Sequence, residues 1–394
     1  MSSRRSPRQS ILLGAFALAA ACEPPREAAA PIGSPLPGLT AEQIASFQAG
    51  ESAFNHVFTP DEGVGPLFNE NQCSACHTSP RTGGTGEQFL VRATRFLPPD
   101  QCDMLVAEGG ENVRTQSTPL LRAHGIERQP FPATATERGR FNVPFLFGAG
   151  LIEAIPEDRI LANEDPDDAD ADGISGRAGR DALGRVARFG RKAELATIRD
   201  FTESALRLEM GLTTPSHPDE GTIGGAPLPD DVDPAADPEI DEATIDRLTD
   251  FVRFLAAPER RSFGDPADRA AAARGESRFS EIGCTACHVP AMTTGPSDIA
   301  ALDRKRVFLY SDLLLHDLGP EFASGCGVAA SPTELRTAIL MGLRHRDVFL
   351  HDGRTADLLD AILLHGGEAT AVRERFRALD RVEQEELLTF LRGL

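Results

Sequence analysis

Cys73-Ser74-Ala75-Cys76-His77 recurs almost unchanged as Cys284-Thr285-Ala286-Cys287-His288. Two thiols three residues apart, followed directly by an imidazole, form the attachment site of a c-type haem. The sulfurs bond to the haem vinyl groups, and the neighbouring histidine is held within reach of the iron. Cys73, Cys76, Cys284 and Cys287 are therefore read as covalent haem-binding residues, and His77 and His288 as axial ligands. The opposite face of each iron then decides the chemistry. A second strong ligand makes an electron-passing centre, whereas an open face admits peroxide.

For the second iron, Leu358, Ala361, Ile362 and His365 share one helical face, apolar apart from the imidazole. A lone histidine on an apolar face is more often a hydrogen-bonded core residue, but a buried iron nearby makes His365 a distal-ligand candidate. His351, in Phe349-Leu-His-Asp-Gly-Arg354, is its rival, with His316 and Met341 behind. For the first iron no ligand stands out. His124, His56 and Met104 are available, and so is an open position. Glu153 is an acid inside the apolar run Gly-Leu-Ile-Glu-Ala-Ile, and peroxide cleavage needs a group that moves a proton between the two oxygens. Its alternative role is a carboxylate at an element edge, paired with an arginine.

The run Asp168-Ala-Asp170-Ala-Asp172-Gly173 matches the first half of an EF-hand loop, in which alternating carboxylates converge on calcium. Gly179 stands where the bidentate Glu would be, so further ligands such as Asp165 or a carbonyl are needed. The alternative is a solvated acidic loop.

Arg4, Arg5 and Arg8 precede an apolar stretch, Ile11 to Ala21, which predicts a secretory signal over 1–22. Cys22 after small residues resembles a lipoprotein cleavage site, so Cys22 is a lipidation candidate. The Pro- and Ala-rich stretch 23–39 reads as a flexible tether. Together these predict a periplasmic chain held to a bacterial membrane by lipid alone. Cys102 and Cys326 remain, and in an oxidising compartment they can pair. The net charge of −20 argues against nucleic-acid binding and suits a basic electron-donor protein, a small cytochrome or cupredoxin.

Three landmarks repeat in the same order. Gly50-Glu-Ser-Ala-Phe54 answers Gly275-Glu-Ser-Arg-Phe279, the two haem sites follow, and Phe251-Val-Arg-Phe-Leu255 answers Phe390-Leu-Arg-Gly-Leu394. An ordered triple predicts tandem copies of one unit, 40–258 and 259–394. Each copy opens with a helix before its haem site and closes with an amphipathic helix, carried by Ile245, Leu248, Val252 and Leu255 and by Val382, Leu387, Phe390, Leu391 and Leu394. The expected fold is mainly α: two tandem cytochrome c-like domains with long loops and an acidic insertion over about 156–185.

These segments together resemble the bacterial dihaem oxidoreductases related to dihaem cytochrome c peroxidase and the MauG-type enzymes. Gly63-Val-Gly-Pro-Leu-Phe-Asn69, Asp170-Ala-Asp-Gly-Ile-Ser-Gly-Arg177, Tyr310-Ser-Asp-Leu-Leu-Leu-His-Asp-Leu-Gly-Pro320 and Leu364-His-Gly-Gly-Glu368 carry the likeness. It implies a peroxidase in which one haem reacts with peroxide and the other receives electrons. It also implies a sixth ligand about 14 residues beyond the His-Asp-Gly motif, usually Met or Tyr, a position held here by His365. The chain has no Trp, so a Trp relay between haems is absent, and Phe or Tyr310 would have to substitute. No His follows the first haem site at the family's spacing, which leaves that iron open. A pure electron-transfer cytochrome, and oxidation of a partner protein in the manner of MauG, are the rival expectations.

Overall fold

The computed structural model describes residues 30–99 and 101–394, so the predicted signal, Cys22 and the first part of the tether lie outside the described residues. Helices dominate the described part: there are eleven, whereas of nine strands only one exceeds six residues. No helix among the described residues is long and apolar enough to cross a membrane.

Four helices build the frame. The opening helix Ala41–Phe54 starts at a capping box between Thr40 and Gln43. It packs along the closing helix Glu242–Phe254, which Asp241 caps and which buries Ile245, Leu248, Phe251 and Val252. The second opening helix, Pro266–Glu281, has Asp265 as its cap and proline in its first turn. It packs along Arg381–Leu391, whose capping box joins Asp380 and Glu383. One predicted stripe member faces out: Val382 is 67% exposed, because it lies in the first turn of its helix.

Both crossings depend on a glycine from the first landmark. A Cβ at Gly50 would collide with the carbonyl of Arg247 and come within 2.8 Å of the Phe251 Cβ. A Cβ at Gly275 would collide with the carbonyl of Glu386 and come within 2.9 Å of the Phe390 Cβ. The first landmark therefore packs on the third in both copies, which explains why they recur together.

The sequence did not signal the antiparallel sheet. Phe89–Leu97 lies between Gln101–Asp103 and Glu137–Asn142, in register Phe89 to Asn142 and Leu97 to Gln101. Its residues, Phe-Leu-Val-Arg-Ala-Thr-Arg-Phe-Leu, do not alternate, so they lack the period-two signature of a half-buried strand. A disulfide joins Cys102 on this sheet to the buried Cys326, with Cα atoms 5.9 Å apart across a sequence separation of 224.

The acidic insertion is anchored at its C-terminal end. Arg177 bridges to Leu315 and pairs with Glu334 at 2.6 Å, while Ser175 donates to Glu368. Just beyond it, the buried Lys192 ammonium donates to the carbonyls of Ser331, Pro332 and Glu334.

Candidate haem sites

Both pentapeptides fold as a single tight turn, Cys73–Cys76 α-helical and Cys284–Ala286 3-10. In each, the histidine amide donates back to the first cysteine's carbonyl, at 3.2 Å for His77 and 2.9 Å for His288. This leaves both thiols and the imidazole presented by one short segment. The burial of Cys73 and Cys284 pushes each thiol up to about 12, so they are neutral rather than thiolate metal ligands.

The imidazoles are oriented alike. His77 Nδ1 lies 2.9 Å from the carbonyl of Gly84, and His288 Nδ1 lies 2.9 Å from that of Tyr310. A carbonyl only accepts, so Nδ1 carries the proton and Nε2 keeps its lone pair, the arrangement of an iron-binding histidine. Burial also pushes both rings down to about 4, against the pull of those carbonyls, so they stay neutral at neutral pH. Phe54 lies 5.8 Å from His77 and 4.9 Å from Phe251; Phe279 lies 6.1 Å from His288 and 5.5 Å from Phe390. All three landmarks therefore meet at each proximal histidine.

A cavity of about 1700 Å³, its mouth included, opens beside Cys284, Cys287 and His288. His365 and His351 both stand on its wall, as do Phe322, Ile362 and Leu391. His365 caps the helix Leu358–Leu364, where the sequence places it, and its Nδ1 meets the Ala361 carbonyl at 2.8 Å. It is the third imidazole with Nδ1 tied to a backbone carbonyl and Nε2 free, and its charge, when present, is felt at His288. His351 is different. Its ring packs between Phe141 and Phe322, and its buried Nδ1 has no partner. A large apolar cavity, two thiols and two such imidazoles fit a covalently held haem.

His316 also lines the cavity, but both of its ring nitrogens are taken by carboxylates. It is 4% exposed, with Nε2 2.9 Å from Asp312 and Nδ1 2.8 Å from Glu368. Burial opposes its charge, but the bonds from Asp312, Cys287 and Glu368 prevail and hold it protonated far above the ordinary histidine range. Met341 is buried in the apolar cluster beneath the cavity.

At the first site the structure separates the predicted residues. His56 pairs with Glu62 and His124 with Asp231, both on the surface, and Met104 lies beside Cys102. Of the two readings of Glu153, its contacts match the carboxylate at an element edge paired with an arginine. One oxygen accepts from the Ile198 amide at 2.8 Å, the other from Arg253 at 3.0 Å. The edge position and the arginine partner occupy both oxygens.

Glu209, which the sequence reading passed over, lies beside the first motif. Asn69 donates to it at 2.8 Å, its own carbonyl accepts from the Asn69 amide, and its charge reaches Cys76. Burial raises its carboxyl, against the bonds from Asn69 and Asn112. It is flanked by Leu208 and Met210, but Arg207 interrupts the apolar run, so the criterion that singled out Glu153 did not select it. Met210 Sδ lies 4.0 Å from Cys73 Sγ.

In the acidic loop, carboxylates of Asp165, Asp168 and Asp170 converge, whereas Asp172 turns away to accept from the Ile174 amide at 2.9 Å. The expected trio is thus corrected by one member. The turn at Gly173 closes before the third carboxylate can swing in.

Residues 136–394 match the family model described as "Di-haem oxidoreductase, putative peroxidase". No curated protein matches the chain. Among solved structures, hydrazine synthase from Kuenenia stuttgartiensis is 13% identical with a TM-score of 0.44, covering 98% of this chain and 100% of its own. The dihaem peroxidase BthA from Burkholderia thailandensis is 14% identical with a TM-score of 0.41, covering 92% and 87%. A MauG-like protein associated with microbial copper homeostasis is 14% identical with a TM-score of 0.29, covering 61% and 89%.

Proposed function

The chain belongs to the di-haem oxidoreductase family, and on that premise we propose that it is a c-type dihaem peroxidase. It reduces peroxide at the first site with electrons entering at the second. The observation that carries this reading is the asymmetry between the sites. His288 faces a cavity whose wall holds a second, identically oriented imidazole, His365. Beside Cys76 of the first motif stands instead an acid, Glu209, held by the amides of Asn69 and Asn112.

A haem supplies a one-electron redox centre, and one with a free coordination position can also activate peroxide. Cys73, Cys76, Cys284 and Cys287 would anchor the two groups covalently, and His77 and His288 would offer Nε2. His365 would complete the second site, while His351 packs beside it without the carbonyl tie that orients a ligand. Glu209, half-buried and shifted towards its neutral form, can hold a proton beside the first motif and pass it on. Asn69 fixes the carboxylate that does so.

The two copies of the landmark triplet fold alike, which supports tandem cytochrome c-like domains over 40–258 and 259–394, the acidic loop being an insertion in the first. The Cys102–Cys326 disulfide supports an oxidising, periplasmic setting. Lipid attachment at Cys22 belongs to the same reading. Asp165, Asp168 and Asp170 form a candidate calcium site, and loss of thermal stability on treatment with a chelator would support it; an unchanged melting temperature would remove it.

The test is peroxide turnover by the half-reduced holoprotein with a reduced small cytochrome as donor. Donor oxidation well above a free-haem control is the expected outcome. Two low-spin haems that ignore peroxide would replace this reading with a pure electron carrier. His365→Ala should turn the second haem high-spin; an unchanged spectrum would return the ligand role to His351.

A further inference from the structure

Three guanidiniums line the second cavity with no counter-charge. Arg191, Arg336 and Arg346 all stand on its wall. Among the described residues none of them has a salt-bridge partner, although twenty-four ion pairs form elsewhere. Arg191 donates to the side chain and carbonyl of Asn142. Arg336 donates to the carbonyls of Gly190 at 3.0 Å and Thr337 at 2.9 Å. Arg346 donates to those of Ile339 at 2.8 Å and Met341 at 3.3 Å, its Nε is buried without a partner, and it lies 5.4 Å over the Phe145 ring. Every acceptor is neutral.

Such an arrangement is costly. A buried ion without a partner is unfavourable, and three that repel one another add to the cost. Burial, and then the charge of its neighbours, pushes both Arg336 and Arg346 down to about 9, and burial pushes Arg191 to about 10. The one carboxylate felt there, Asp312 at Arg336, is already bound to His316. The donor geometry calls for anions with paired oxygens, because guanidinium presents a planar fork matched to carboxylate.

We propose that Arg191, Arg336 and Arg346 bind the propionate carboxylates of the second haem and hold its reduction potential up. The inference rests on the dihaem reading above. A haem brings two carboxylates into this cavity, and three fixed positive charges leave a surplus that favours the added electron. Two histidine ligands would otherwise lower the potential relative to the usual Met, so the arginines offset the ligand exchange at position 365. Arg191 and Arg346 also grip the segment 142–145, where Asn142 and Phe145 face this cavity and the Pro144 carbonyl acts on His77. The cluster thus sits on the wall between the two sites.

Redox titration of the holoprotein, following each haem by its visible bands, tests this. Arg336→Gln and Arg346→Gln should each move the second haem's midpoint to more negative values, the double variant further, with the first haem moving less. Arg336→Lys should recover most of the shift, and it serves as the measurement should the Gln variants lose haem. Unmoved potentials in variants that carry two haems would overturn the proposal. So would a parent midpoint that falls with added acetate while that of Arg336→Gln does not, since the cluster would then hold a free carboxylate. Pyridine haemochrome assay of the parent separates the two levels. Fewer than two haems per chain would overturn the dihaem reading and this proposal with it.

Discussion

Glu153 and Glu209 are the same residue type, and their partners set them apart. Glu153 has both oxygens committed to the Ile198 amide and Arg253, whereas Glu209 is desolvated beside Cys76. Glu209→Gln should lower peroxide turnover by about 10²- to 10⁴-fold, the range for loss of a positioned proton carrier, with little change in the haem spectrum. Glu153→Gln should lower the melting temperature and leave turnover nearly intact. The reverse result from steady-state assays would restore Glu153. The proximal imidazoles give a pH dependence whose sign is fixed. His77 and His288 sit near 4 when folded, below the ordinary value of 6.5, so the unfolded chain binds protons first as pH falls. Their contribution is complete above about pH 6.5 and is lost between there and pH 4. His316, shifted the other way, keeps its full contribution through that window and loses it progressively as pH rises above about 6.5. Thermal melts of the haem-free chain from pH 7 to pH 4 should therefore fall below pH 6; a flat profile would contradict these burial effects.

At the scale of elements, the helix crossings are the most sharply specified feature. Gly50 and Gly275 are each pressed against a carbonyl of the closing helix, and no side chain fits there without separating the helices. Gly50→Ala and Gly275→Ala should each destabilise the protein by about 1–3 kcal/mol, the cost of overpacking a tight contact. Denaturant titration checks this, and a gain from the better helix propensity of Ala would show that the crossing relaxes. Because Phe279 links the second crossing to His288, Gly275→Ala should also broaden the spectrum of the second haem while sparing the first. The helices were legible because capping boxes and apolar stripes are local. The strand Phe89–Leu97 was not, since its face is set by the sheet partners Gln101–Asp103 and Glu137–Asn142 rather than by alternation along its own sequence.

Across the whole molecule, the first part of the chain is fastened to the second by Cys102–Cys326, Arg92–Glu194 next to Cys326, Arg177–Glu334 and the Lys192 ammonium. Cys102→Ser with Cys326→Ser should cost about 2–5 kcal/mol, because the bridge closes a long loop in the unfolded chain. Calorimetry in which reductant leaves the melting temperature unchanged would show that the bridge carries no such constraint. The sequence alone determined the two Cys-x-x-Cys-His motifs, the helix end that carries His365 and the paired helices that frame each motif. Those features are written in short spacings, where covalent geometry and helical periodicity leave little freedom. Only the tertiary structure decided which acid stands by the first motif, which aspartates converge, and that three arginines gather at the second cavity. Each of these depends on residues far apart in the chain, as Arg191, Arg336 and Arg346 are, and on burial, which no local pattern encodes. The separation of His365 from His351 followed the same rule, since it turned on one imidazole meeting a carbonyl and the other meeting none.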